Sequence, residues 1–216
     1  MTNIGILGTG GFAVAMGRAW AAVGHAIVVT GRDPGRAGDA AQKIGPAARA
    51  VDVGDFARSV DVVVIAVAWE GLETAIGLVG GPRGALAGRT VLDCTVPVLR
   101  TGPHKMESGS AAEMVARLAA GAHVVKALHL FAGASWPYTG APQAAPVVAV
   151  CGDEPSALET AAQLVADLGA HTAVVGGLDS ARQAEETAGF VLRVVGAGRN
   201  PRFAVPDVDP ARRATA

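Results

Sequence analysis

The first residues with a readable chemistry are Gly8, Gly10 and Ala13, in the run from Asn3 to Ala13. They fit the spacing G-x-G-x-x-G/A between a short apolar strand and a helix. Gly8 permits a tight turn out of the strand. Gly10 lets the backbone approach a pyrophosphate, and Ala13 lets the helix pack close to the strand. The helix would offer its free amides and positive dipole end to phosphate oxygens. A glycine-rich turn without a ligand has the same composition. The strand before it and the helix after it are the context that favours a dinucleotide.

A second group stands at the end of the next strand: Thr30-Gly31-Arg32-Asp33, followed by Arg36. An NAD site usually has a carboxylate there for the ribose 2′-hydroxyl. Here Gly31 takes that place. Two guanidinium groups one helical turn apart suit a dianionic 2′-phosphate, which arginine can grip in a bidentate way. Cations at a helix start are otherwise mildly unfavourable. The expectation is NADP, with Asp33 as the dissenting residue, since an inward carboxylate would repel the phosphate. Solvated surface arginines are the alternative.

Two further segments hold candidates. Val67-Ala68-Trp69-Glu70 and Thr95-Val96-Pro97-Val98 follow strands, and open α/β sheets bind ligands at the carboxyl ends of strands. Trp69 either covers the adenine–ribose side of a nucleotide or packs on the core. His129 lies in Ala127-Leu128-His129-Leu130-Phe131, before an apolar loop. A neutral imidazole there could orient a carboxamide or shuttle a proton, and it could equally be structural. No Ser-Tyr-x-x-x-Lys set occurs, which argues against short-chain dehydrogenase chemistry. No Cys/His cluster has metal spacing, so no metal is expected.

These residues need a scaffold, and the pattern supplies one. Strand and helix periodicities alternate in the first half, as a parallel α/β sheet requires. Strands are expected at 4–7, 26–30, 48–51, 61–67 and 90–94. Helices are expected at 12–23, 34–44, 52–58 and 72–79. Beyond them the pattern predicts a helix at 110–120, strands at 124–130, 146–151 and 172–175, and helices at 155–168 and 180–195. The fold class is therefore α/β, a Rossmann-type doubly wound parallel sheet with a small C-terminal α/β portion. The expected units are residues 1–131 and 132–195, with a loosely held tail at 196–216.

Composition bounds the function. The chain has 216 residues, half of them hydrophobic, and a net charge of −1, so no broad electrostatic case exists for nucleic acid or an anionic membrane. The charge-free stretch 127–152 holds Pro137, Pro142 and Pro146, which excludes a membrane helix. The start lacks the pattern of a signal peptide. Cys94 and Cys151 read as buried thiols of a reducing, cytoplasmic protein. A thin C-terminal layer and abundant apolar surface suggest a homodimer.

Taken together the segments resemble the NADPH:coenzyme F420 oxidoreductase family. The resemblance rests on Gly8-Thr9-Gly10, Gly31-Arg32 with Arg36, Trp69-Glu70, Val96-Pro97-Val98, Ser110-Ala111-Ala112-Glu113, Ala127-Leu128-His129, Val150-Cys151-Gly152-Asp153 and Ala181-Arg182. It covers about residues 1–195 in order. It implies hydride transfer between NADP(H) and the deazaflavin F420. It assigns the pyrophosphate to Gly8, Thr9, Gly10, Gly11 and Phe12, and the 2′-phosphate to Gly31, Arg32 and Arg36. Trp69, Val98 and Gly133 would line the rest of NADP. His129 would be catalytic and, with Phe131, would face the nicotinamide and the incoming deazaflavin. The loop 130–136 departs from the family pattern. Two alternatives therefore stand beside it: an NADPH-dependent reductase of an imine, carbonyl or ferric complex, and a non-catalytic NADP(H) sensor.

Overall fold

The computed structural model describes residues 1–99, 102–103, 106 and 108–205. Its centre is a sheet of eight strands. They are β1 (Asn3–Leu7), β2 (Ala26–Thr30), β3 (Ala48–Ala50), β4 (Val62–Ile65), β5 (Thr90–Asp93), β8 (His123–Lys126), β9 (Val147–Gly152) and β10 (His171–Gly176). The two-residue strands β6 (Val98–Leu99) and β7 (Gly102–Pro103) pair antiparallel as a separate ladder among the described residues. The helices are α1 (Gly11–Ala22), α2 (Pro34–Ile44), α3 (Val53–Phe56), α4 (Leu72–Leu78), α5 (Ala111–Leu118), α6 (Pro155–Ala166) and α7 (Ala181–Gly196).

From one edge the order is β3-β2-β1-β4-β5-β8, then β9 and β10. The first six positions reproduce the Rossmann order, and all pairs within them are parallel. β9 joins β8 antiparallel, and β10 joins β9 parallel. The chain reverses its direction of travel between β1 and β4. That is the switch point where a crevice opens beyond the carboxyl ends of the strands.

The continuous β-branched strands follow from burial on both faces. In β4, Val62 and Val64 enter one core while Val63 and Ile65 enter the other. The first core lies under α1, α2 and α6 and includes Met16, Trp20, Ile44 and Leu164. The second lies under α3, α4, α5 and α7 and includes Phe56, Ile76, Val115 and Ala184. With few aromatics, close packing depends on small residues such as Ala13, Ala40, Ala112 and Ala161, all of them buried. Among the described residues, no helix is long and apolar enough to cross a membrane.

Two strands are shorter than the periodicity suggests. The run 61–67 is a strand only over Val62–Ile65. The run 124–130 leaves the sheet after Lys126, and Leu128 then adopts a left-handed backbone with φ 59°. Apolar periodicity reports burial, and Leu128 is buried although it is no longer extended. The expected tail at 196–216 begins with the end of α7 and a short 3-10 turn (Pro201–Phe203), and residues 206–216 lie outside the described residues.

Candidate active site

Gly8 ends β1 with φ 139°, a backbone that L side chains rarely adopt. A β-carbon there would overlap the carbonyl of Ala66, at the end of β4. The turn therefore lies directly against the neighbouring strand. α1 then starts at an N-cap, Gly10, which supplies no side-chain hydrogen bond. The amides of Gly11, Phe12 and Ala13 have no intrahelical acceptors, because the ladder begins with Val14 N–H donating to Gly10 at 3.1 Å. Space for a ligand exists here, since a β-carbon on Gly10 or Gly11 would meet nothing within 4 Å.

This turn forms one wall of a cleft of about 360 Å³. Gly8, Thr9, Gly10, Gly31, Arg32 and Arg36 all line it. Gly31 faces the methyl group of Thr9, which an added β-carbon would approach to 3.0 Å. Arg32 and Arg36 are exposed, and neither has an ion pair among the described residues. Asp33 is the N-cap of α2, where its Oδ1 accepts the Arg36 amide at 3.1 Å. The carboxylate that dissented in the sequence is thus engaged in starting the helix that carries Arg36.

The opposite wall comes from Ala68, Thr74, Ala75 and Leu78 around α4. The sequence pointed to the segment holding Ala68, but gave 72–79 only as a helix, so Thr74, Ala75 and Leu78 were not singled out. Trp69 is half-buried and packs against the second core. Val98 belongs to β6, which runs beside the turn Trp69–Gly71. Gly133 sits on the first turn of α1, where a β-carbon would come within 2.9 Å of Ala15 Cβ and 3.3 Å of Phe12 Cα. The loop after His129 is pinned by Trp136, which is buried in the first core and meets Phe131 edge to face at 5.2 Å.

His129 is 8% exposed, and its ring lies against the backbone of Ala184 on α7. Burial pushes its pKa down to about 4, with Lys126 adding to the effect and Asp93 and the Ala184 backbone opposing it. The imidazole is therefore neutral at pH 7. A neutral imidazole has one donor and one acceptor, so with Ala184 at one nitrogen the other remains for a molecule brought to it.

Beside it lies a group of charges that sequence reasoning missed. Lys126 is fully buried, and its Nζ stands 2.6 Å from Asp93 Oδ2 and 2.8 Å from Glu185 Oε1. It also donates to the Thr95 carbonyl at 2.6 Å. Asp93 Oδ1 accepts from the amide and hydroxyl of Thr95 at 2.9 and 2.7 Å. Glu185 accepts the amides of Ala111 and Ala112, at the start of α5, at 2.8 and 3.1 Å. Ser110 and Glu113 cap the same helix through a reciprocal pair of bonds. Burial alone would lower the lysine's affinity for its proton. The charges of Asp93 and Glu185 outweigh it and hold the affinity above the ordinary lysine value. A charge inside each of the apolar strands β5 and β8 was the available signal. Their common partner, Glu185, was not readable from the pattern.

A second cavity, of about 290 Å³, lies next to this cluster. Val96, Pro97, Met106 and Phe190 give it apolar walls, while Glu185 and Arg193 add charge. Cys94 and Cys151 are free thiols, and burial pushes the proton affinity of both upward.

Comparison with known proteins adds a family to this geometry. Residues 3–97 match the family model described as "NADP oxidoreductase coenzyme F420-dependent". No curated protein matches the chain in sequence. Among solved structures, the fold is similar to a protein of Arthrobacter sp. FB24 provisionally named an F420-dependent NADP reductase. The identity is 25%, the TM-score 0.80, and 92% of this chain and 96% of that one are covered. A hypothetical protein of Sinorhizobium meliloti is 24% identical with a TM-score of 0.72, covering 83% of this chain and 88% of that one. A reductive aminase of Aspergillus terreus, solved with NADPH and ethyl-5-oxohexanoate, is 18% identical with a TM-score of 0.68. That match covers 92% of this chain but 63% of the aminase. The segment 3–97, which holds the glycine turn, the two arginines and the first five strands, is thus similar to the F420-dependent NADP oxidoreductases.

Proposed function

We propose that this chain exchanges hydride between NADP(H) and the deazaflavin coenzyme F420. The observation that carries the cofactor half is the pair Arg32 and Arg36 at one end of a cleft whose other wall is an uncapped helix start. Asp33, held in the α2 cap, leaves both guanidinium groups available to a 2′-phosphate. The pyrophosphate would lie on the amides of Gly11 and Phe12, with Gly8, Thr9 and Gly10 beneath it.

NADPH supplies the hydride when bound. The chain's own work is to bind, orient and exclude water. Two flat rings must be held with donor and acceptor carbons about 3–3.5 Å apart. Gly133 and the loop anchored by Trp136 would close the nicotinamide side, and Val98 and Trp69 would border it from the β5 and β4 loops. His129, buried and neutral, would hold a polar atom of the nicotinamide or of the deazaflavin. The apolar cavity between Pro97 and Phe190 is the candidate seat of the acceptor ring. The active unit would be a cytoplasmic homodimer.

The cofactor assignment is tested by titration. Arg32→Ala with Arg36→Ala should raise Kd for NADPH about 100-fold, the loss of two charge-assisted contacts, and change Kd for NADH by less than about threefold. Equal losses for the two nucleotides would remove the 2′-phosphate from this end of the cleft.

A further inference from the structure

The buried cluster has a geometry that the chemistry just described does not use. Lys126 ends β8, three positions before His129. Asp93 ends β5, just before the Val96–Pro97 wall of the acceptor cavity. Glu185 lies on α7, five residues before Phe190 on the opposite wall, and holds the start of α5. Through its ammonium group β8 is tied to the end of β5 and to α7, at 2.6 to 2.8 Å. The segment between Lys126 and His129 includes Leu128 at φ 59°, an unfavourable backbone for a branched side chain. Strain of this kind persists only where the surroundings enforce it, and it concentrates at functional sites. Packing alone does not require the charges, because apolar residues of similar volume can replace buried ion pairs without loss of stability.

We infer that Lys126 is a positioning residue for hydride transfer: by clamping β5, β8 and α7 at one point it sets where His129 and the two acceptor walls stand. The role assigned to the clamp rests on the proposed reaction. The placement of His129 can be read without it.

The test compares the wild-type chain with Lys126→Met/Asp93→Asn, which removes one charge of each sign and leaves Glu185 on the α5 amides. Glu185→Gln is the second variant. It keeps one oxygen, enough for one of the two α5 amides that Glu185 now accepts, while weakening the hold on α7. Crystal structures give the position of the His129 ring. Fluorescence titration gives NADPH affinity, and single-turnover kinetics give the hydride-transfer rate to F420. The expectation is a ring displaced by about 1 Å and a rate lowered about 100-fold in the double variant, with NADPH Kd within about twofold of wild type. Glu185→Gln should show the same pattern with a loss of about tenfold. A folded variant with His129 in place overturns the inference, whether or not its rate falls. If the wild-type chain itself passes no hydride to F420, the proposed acceptor fails. The ring position then decides the positioning claim alone.

Discussion

His129 gives the sharpest residue-level expectation, because its environment moves its pKa in a known direction. The unfolded chain binds the imidazole proton at about pH 6.5, whereas the folded chain binds it only near 4. Between those values the unfolded state holds more protons, so stability is lost as pH falls through that window and is fully present above it. Urea unfolding at pH 7.5 and 5.0 should show about 2 kcal/mol of acid destabilisation from this one group. His129→Leu should lack that share. An identical pH dependence in both proteins would show that His129 is not kept neutral by the fold. Arg32 and Arg36 were legible as a pair because both lie in one local stretch after a strand. Lys126 was not, because its partners at 93 and 185 come together only through the sheet and α7.

At the scale of elements, the loop after His129 meets α1 through a residue without a side chain. Gly133 lets the loop lie on the helix turn whose amides would face the pyrophosphate. Gly133→Val should lift the loop, weakening NADPH binding about tenfold and costing about 1–3 kcal/mol of stability through overpacking. Thermal shift and nucleotide titration on the same preparation measure both. Unchanged NADPH affinity would separate this loop from the cofactor. Most element positions were readable, because β-branched runs and capped helix starts are local signals. The end of β8 was not. Leu128 and His129 are as buried as strand residues, and burial is what periodicity detects.

At the scale of the whole molecule, the eight strands form one sheet, and each core spans it. The first core joins Ile4 to Ala170, and the second joins Leu7 to Ala184. A pattern read along the chain marks a change of character near residue 132. It carries no information about β9 pairing back onto β8, which is a long-range contact. The outer edge of that sheet is apolar. Val174 on β10 is 60% exposed, and Phe190 on α7 is 45% exposed. Patches of this kind favour association. Sedimentation should give the mass of a homodimer, and Val174→Lys should shift it toward monomer. A wild-type monomer at micromolar concentration would contradict that reading.

The central claim joins a cofactor to an acceptor, so the most direct measurement uses both. Purified chain is mixed with NADPH and oxidised F420 in a stopped-flow cell, with NADH as the control, and the visible band of the deazaflavin is followed. Bleaching with NADPH and not with NADH is the predicted result. A band that stays unchanged while NADPH binds and raises Tm would contradict the account, and would assign the cleft to NADP with a different acceptor.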